Sequence, residues 1–337
     1  MKGILVGMGG RGQSWIRVCG RNPEVELVGF VEPVEAQRRA VAERLELPLG
    51  RAFASLSDAL KAARADFVLD VTPPAAHEAV ALEAFAAGLH VLGEKPLSDD
   101  FGAARRIVAA AEKAGRTHMV TQNYRFGPAP RTTRRLLAEG VVGAPAQVAV
   151  GFYRAWATRP GTHYTTMPYP LLTDMGIHHF DLLRYVMGQE PVRVTARSWN
   201  PGWGWHAGDA SHTAFIEFSG ELVATHHACG CSVGRQSPWN GDWRIDGPGG
   251  SLTWEEDQIF VTREHPPEQK RREAVPLDPL PLAGQDALLA EFVAAVREGR
   301  EPECSGRDNL KSLALTFAVV QSAREGGRPV EIAELLE

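Results

Sequence analysis

Cysteine is scarce in this chain, four in 337 residues, which argues against a disulfide framework. Cys229 and Cys231 are separated by a single glycine, closer than the C-x₂₋₄-C spacing of zinc knuckles. H-E-x-x-H does not occur either. A zinc site built from Asp174, His178 and the His226-His227 pair would need an improbable meeting in space, so no metal is expected. No apolar run approaches the ~20 residues that cross a bilayer, which excludes a membrane-spanning helix. Neither sign of charge dominates: 36 Lys and Arg stand against 41 Asp and Glu, net −5. That balance carries no electrostatic footprint for nucleic acid. The first strand-like run begins at Lys2, which leaves no room for a signal peptide, and a cytoplasmic location is expected. No internal repeat is visible.

What remains is an ordinary globular composition, 44% hydrophobic and 23% charged. A chain of 337 residues buries a substantial core and points to two domains. Over the first ~120 residues strand-like and helix-like segments alternate, the pattern of a parallel sheet covered by helices. Helices are expected at Ala36–Leu45, from Ser55 (with Ser55 and Asp58 as capping candidates), at Ala76–Ala87 and at Phe101–Ala114. Strands are expected at Val25–Val31, Asp66–Val71, Leu89–Leu92 and His118–Thr121. Longer strand-like runs follow, Val148–Tyr153, Val192–Ser198, Ala214–Phe218, Leu222–His227 and Trp243–Ile245. Turns separate some of them, so a second, α+β domain with a mostly antiparallel sheet is expected. The charged, proline-containing stretch Glu264–Glu273 reads as an exposed loop. Gln285–Arg297 and Asn309–Glu325 read as helices.

The start of the chain carries a fingerprint. Lys2-Gly3-Ile4-Leu5-Val6 runs into Gly7-Met8-Gly9-Gly10-Arg11-Gly12, which fits G-x-G-x-x-G between a strand and a helix. One glycine serves a tight turn, one lets backbone approach a pyrophosphate, and one allows close helix–strand packing. The helix amino terminus adds free N–H groups for the phosphates. The run Val25–Val31 ends at Glu32, twenty residues after Gly12, where an acid accepts hydrogen bonds from adenosine ribose hydroxyls. Glu32 would repel a 2′-phosphate, so NAD is expected rather than NADP. Arg38 and Arg39 keep NADP as a minority option.

Gly93-Glu94-Lys95-Pro96 closes the strand Leu89–Leu92. Taking an ammonium out of water is costly without a partner, and Glu94 is placed to hold the Lys95 charge. An X-Pro bond is also where a cis peptide is cheap. Carboxyl ends of strands in an open α/β sheet face the ligand crevice. Lys95 therefore reads as a catalytic or substrate-holding cation. Thr72 and Pro73 stop the preceding strand at the same crevice. His77 reads either as a cofactor contact or as a helix cap.

A second constellation is Asp174-Met175-Gly176-Ile177-His178, followed by Asp181. Read as a helix, Asp174, His178 and Asp181 share one face among apolar neighbours. Such groups are expensive there unless paired or catalytic, and a carboxylate beside an imidazole fixes its tautomer for proton transfer. A structural polar network is the competing reading. His179 lies about 100° around the helix and should not share the role.

Together with Asn123-Tyr124-Arg125-Phe126 and the closing segment 309–330, these motifs resemble the Gfo/Idh/MocA oxidoreductases from end to end. The resemblance implies a dinucleotide-binding Rossmann domain, 1–122, and a substrate-binding and oligomerisation domain, 123–337, whose closing helices pack back on the first. It implies that Lys95 and His178 flank the substrate carbon, supported by Asp174. His178 would remove the hydroxyl proton while Lys95 stabilises the developing carbonyl oxygen. The cofactor contacts would come from Gly7, Gly9, Gly10, Arg11, Gly12, Glu32, Thr72, Pro73, His77, Glu94 and Lys95. Glu32 stands where many members have aspartate. Asn123, Arg125, Arg154 and Tyr164 are candidates for the substrate, with Arg125 equally readable as a domain strut. The loop carrying Trp199, Trp203 and Trp205 either stacks on sugar or packs on its own domain.

The expected protein is an NAD-dependent dehydrogenase of a sugar, inositol or related polyol, assembled as a homodimer or homotetramer. An NAD-retaining glycoside hydrolase or lyase of the same fold, and a non-enzymatic dinucleotide sensor, are the alternatives.

Overall fold

The computed structural model describes residues 1–264 and 270–337. Its backbone divides into two compact units, one of residues 1–123 with 282–310 and the other of 124–281 with 311–337.

The first unit alternates as the apolar runs require. Its elements are β1 (Lys2–Val6), α1 (Gly10–Arg21), β2 (Glu26–Val31), α2 (Glu35–Arg44), β3 (Ala52–Phe53) and α3 (Leu56–Ala62). They continue with β4 (Phe67–Asp70), α4 (His77–Ala86), β5 (His90–Gly93), α5 (Phe101–Ala114) and β6 (His118–Val120). All ladders are parallel, in the order β3-β2-β1-β4-β5-β6. β4 is buried along its whole length, as strands covered on both faces are. The order reverses between β1 and β4, the switch point beside which such sheets bind ligands. Ser55 caps α3 by accepting from the Asp58 N–H at 3.1 Å, and Asp100 caps α5 by accepting from the Ala103 N–H at 2.6 Å. Helix Gly284–Glu298 belongs to this unit, with the Phe292 ring 5.3 Å from Phe67.

The second unit contains α6 (Pro128–Ala138), β7 (Gln147–Tyr153), the short α7 (His163–Thr166), α8 (Gly176–Met187), β8 (Pro191–Trp199), β9 (Ser211–Phe218) and β10 (Val223–Cys229). β11 (Asp242–Gly247), β12 (Gly250–Glu255), β13 (Gln258–Glu264), β14 (Lys270–Val275) and β15 (Val330–Glu331) complete its sheet. The nine strands run β14-β13-β12-β11-β7-β10-β9-β8-β15. Among the described residues only the β7–β10 pair of this sheet is parallel. β7, β9 and β10 alternate buried and open positions, so one face makes the core with Phe152, Ala228, Leu171 and Met175. The other face exposes Tyr153, Trp199 and Phe215.

The loop expected at Glu264–Glu273 is corrected. β13 runs through Glu264 and β14 starts at Lys270, pairing Ile259 with Val275; the remainder of that stretch lies outside the described residues. Charge disguises β14 because it is an edge strand, where exposed Lys and Arg are the usual guard against further pairing. Arg272 lies 3.9 Å from the Phe260 ring centroid. Among the described residues no helix is long and apolar enough to cross a membrane.

Candidate functional site

In the first unit the glycine-rich turn is shaped by what a side chain would strike. Gly7 has φ +99°, a conformation that L side chains avoid, and a Cβ there would lie 2.6 Å from the Val71 carbonyl oxygen. A Cβ on Gly12 would lie 2.0 Å from the Gly7 carbonyl oxygen, so only glycine lets α1 sit on the turn. Gly9 and Gly10 have open space instead, with nothing within 4 Å of an added Cβ. Gly9 is the N-cap of α1, no side chain caps it, and the first turn has no acid. The leading N–H groups and the positive end of the helix dipole are therefore left for an anion. This arrangement fits the pyrophosphate of a dinucleotide.

Glu32 follows the last residue of β2 and is only 6% exposed. Its carboxylate accepts from the N–H groups of Met8 (3.3 Å) and Val34 (3.1 Å) and from Gln37 Nε2 (2.9 Å). Three of about four acceptor positions are thus filled, leaving room for a ribose hydroxyl. Arg38 donates to the carbonyl oxygens of Glu32 (2.6 Å) and Pro33 (3.4 Å). Arg39 pairs with Glu35 at 2.9 Å.

The Gly93–Pro96 turn is tied to α1 by an anchor that is not apparent from sequence. Glu94 Oε1 accepts from the buried Trp15 Nε1 at 2.6 Å and from Arg11 Nε at 2.7 Å. The Lys95 N–H donates to Glu94 Oε2 at 3.3 Å, and the Lys95–Pro96 peptide is cis. On the neighbouring strand end, Asp70 Oδ1 accepts from the Thr72 N–H (3.0 Å) and Oγ1 (2.6 Å). Burial pushes the Asp70 carboxyl above its usual range, and the adjacent His77 pulls it partly back. His77 lies with Nδ1 3.0 Å from the Pro96 carbonyl oxygen and Nε2 3.0 Å from that of Thr72. Asn123 Oδ1 is buried and has no hydrogen-bond partner among the described residues.

In the second unit the expected helix through Asp174, His178 and Asp181 changes type along its length. Leu171–Met175 forms a π-helical turn before α8 begins at Gly176. Asp174 lies in this wider turn, and π-turns of this kind recur at functional sites. Asp181 is 1% exposed and accepts a fork from Arg125, Nε at 2.6 Å and Nη2 at 2.5 Å. Ser312 Oγ adds a bond of 2.7 Å to Asp181 Oδ1, and Arg184 Nη1 donates to that hydroxyl at 2.6 Å. His178 is 4% exposed, and its ring stacks on Tyr124, centroids 4.2 Å apart and planes 9° from parallel. Tyr124, inside the Asn123–Phe126 motif, had no role assigned from sequence.

His179 begins a buried imidazole chain. Its Nε2 lies 2.8 Å from the Trp239 carbonyl oxygen, which only accepts, so Nδ1 carries the lone pair. His226 Nε2, 3.0 Å from that atom, must donate. Its own Nδ1 then accepts from His212 Nε2 at 2.8 Å. The chain ends at His212 Nδ1, buried without a partner among the described residues. One carbonyl thus sets three tautomers, and all three rings are neutral. Burial lowers His179 to about 4 and His212 to about 3. It also takes His226 well below its ordinary value, helped by His212, His179 and His227.

An acid dependence follows. Unfolded histidines take protons near pH ~6.5, whereas these three resist until far lower pH. Below about pH 6.5 the unfolded chain binds more protons, so stability, complete above that value, falls as pH drops and levels off near the folded values. Urea unfolding at about pH 7.5 and about pH 5 should show a lower midpoint in acid, with a smaller loss in His212→Gln. Equal acid losses in the two proteins would contradict this assignment.

Arg154 Nη1 donates to the Ser237 carbonyl oxygen at 2.9 Å, and its guanidinium sits 4.4 Å from the Trp239 ring centroid. Tyr164 is exposed, 5.0 Å from the Trp156 ring. Within the tryptophan loop, Trp205 Nε1 donates to the Trp156 carbonyl (2.9 Å) and Trp203 Nε1 to that of Cys231 (3.0 Å). The loop is fastened to its own unit, with one face of Trp203 left open at 66% exposure.

Residues 1–122 match the model of an oxidoreductase family with an NAD-binding Rossmann fold, and residues 130–253 match the GFO/IDH/MocA C-terminal domain. D-apiose dehydrogenase of Paraburkholderia graminis is 28% identical, covering 99% of this chain and 90% of that protein. Inositol 2-dehydrogenase of Rhizobium meliloti is 27% identical, covering 98% of each. The crystal structure of an oxidoreductase from Agrobacterium radiobacter in complex with NAD⁺, L-tartaric acid and magnesium shares the fold, with a TM-score of 0.87 at 21% identity over 99% of each chain.

Proposed function

The chain belongs to the Gfo/Idh/MocA oxidoreductase family, and from that premise we propose an NAD(H)-dependent dehydrogenase acting on a secondary alcohol of a sugar, inositol or related polyol. The observation that carries this reading is the uncapped start of α1 over the open Gly9 and Gly10, with Glu32 beside the same turn. The relatives named for D-apiose and inositol support the substrate class.

Gly9, Gly10 and Arg11 would hold the pyrophosphate through backbone N–H groups, and Glu32 the adenosine ribose. Gly7 and Gly12 shape the turn. Thr72, Pro73 and the anchored Glu94–Lys95 turn would border the nicotinamide end. NAD is preferred to NADP because Glu32 offers only acceptors, while Arg38 and Arg39 are engaged with carbonyls and Glu35. Bound NAD supplies the two-electron acceptor for the hydrogen on the substrate carbon.

His178 takes the hydroxyl proton; its stacking on Tyr124 fixes the ring plane. Asp174 supports His178, and Lys95 stabilises the oxygen as carbonyl character grows. Asn123, with its unpartnered carbonyl oxygen, Arg154 and Tyr164 are the proposed substrate contacts. Arg125, closed on Asp181, is assigned to bracing α8 instead.

Purified protein given NAD⁺ and a panel of inositols, pentoses and hexoses should form reduced nicotinamide with at least one polyol, faster than with NADP⁺. No net reduction, with tightly held cofactor and glycoside cleavage, would contradict the dehydrogenase and identify the hydrolase or lyase reading.

A further inference from the structure

The His77 ring meets two protein carbonyls, each at 3.0 Å, one from Thr72 and one from Pro96. Carbonyl oxygens only accept, and a neutral imidazole has a single N–H. In a neutral ring the second nitrogen would aim a lone pair at an oxygen lone pair. His77 is 4% exposed, so water cannot relieve that conflict, and a buried polar atom left unmade is costly. With both nitrogens protonated, both contacts become hydrogen bonds.

The surroundings suit a cation. Asp70, Glu94 and His118 line one small cavity with His77. Asp70 and Glu94 are 1% and 6% exposed. His118 stays neutral, lowered to about 3 by burial. Glu78, the next residue on α4, is turned to Arg106 in a bidentate pair. Arg11 also faces this group, paired with Glu94 at 2.7 Å.

We propose that His77 is a positioning residue: a doubly protonated ring that clamps the backbone after β4 to the backbone after β5, and so sets the turn carrying Lys95. β4 and β5 are adjacent parallel strands, with Asp70 paired to Gly93. The clamp therefore joins the Thr72–Pro73 segment to the residue directly after Lys95. Both ring nitrogens are consumed by protein, so His77 acts through the turn and does not contact the cofactor. The kinetic part of this inference rests on the dehydrogenase reading; the protonation of the ring does not.

The test uses the whole 337-residue chain and His77→Gln, whose amide reaches one carbonyl but not both. Nitrogen-15 NMR of the imidazoles at about pH 8, above the ordinary histidine range, should show one ring with both nitrogens protonated, missing from the variant. A His77 ring seen as a single neutral tautomer overturns the clamp, and this readout needs no substrate. Calorimetric titration should give His77→Gln an unchanged NAD affinity. Its kcat at saturating NAD should fall by about 10²-fold, the scale of a small displacement of a catalytic group. Weakened NAD binding with unchanged kcat would make His77 a cofactor contact and refute the positioning role. Unchanged values of both would refute it too. If wild-type protein turns over no polyol, the dehydrogenase reading fails while the NMR result still decides the clamp.

Discussion

Lys95→Ala should lower kcat for polyol oxidation by about 10²–10⁴-fold, the range of positioned acid–base and charge-stabilising groups, with NAD affinity nearly unchanged. The separation of these two effects follows from how the turn is held. Glu94 anchors it to α1 through Trp15 and Arg11, and His77 meets the Pro96 carbonyl. None of these bonds uses the Lys95 side chain. Removing the ammonium should leave the backbone and the glycine-rich turn in place while the developing oxygen charge loses its cation. A lost transition-state interaction lowers kcat and kcat/KM together. Lys95→Arg should recover little, because a planar fork does not replace a compact point charge at a fitted site. Steady-state kinetics decide the matter; unchanged kcat in Lys95→Ala would remove this residue from the chemistry.

Arg125→Ala should destabilise the protein by about 3–5 kcal/mol, the cost of removing one partner of a buried ion pair. Asp181 is 1% exposed and would keep Ser312 as its one remaining partner among the described residues, against a fork of two short bonds in the native chain. The loss should spread, since Ser312 also receives Arg184, and Arg184 holds Glu190 at 2.7 Å. Asp181→Asn combined with Arg125→Ala should recover part of the loss, because the orphaned charge is then gone. Chemical denaturation reads this directly. If Arg125→Ala is as stable as wild type and instead raises KM for the polyol, Arg125 binds substrate and is not a strut.

These two residues also mark how far the sequence could be read. Lys95 was legible because its signal is local: an apolar strand ending in glycine, an acid, a lysine and a proline. The Gly7–Gly12 turn is local in the same way, since each glycine answers to backbone within one βαβ unit. Asp181 was harder, as its partners Arg125 and Ser312 come from distant parts of the chain. From sequence it therefore reads only as part of a helical stripe with His178 and Asp174, whereas Asp174 lies in a π-turn, Leu171–Met175, that precedes α8. Nothing in helical periodicity announces one widened turn. The imidazole chain has the same character: His179, His212 and His226 come from one helix and two strands and become a set only when the sheet packs. His226 was visible as half of a possible metal pair, yet its neighbours are other imidazoles in hydrogen-bonding positions. β14 was hidden for a different reason, because a guarded edge strand carries the charge pattern of a loop.

Hydrogen should move from a substrate carbon to the nicotinamide, and a label measures that most directly. Wild-type protein is incubated with NAD⁺ and polyols deuterated at their carbinol carbons, and the cofactor is then examined by mass spectrometry. The expected result is deuterium in the nicotinamide from at least one polyol, with transfer slowed by about 10²–10⁴-fold in Lys95→Ala. Wild-type protein that binds NAD with normal affinity yet transfers deuterium from none of them would contradict the central claim.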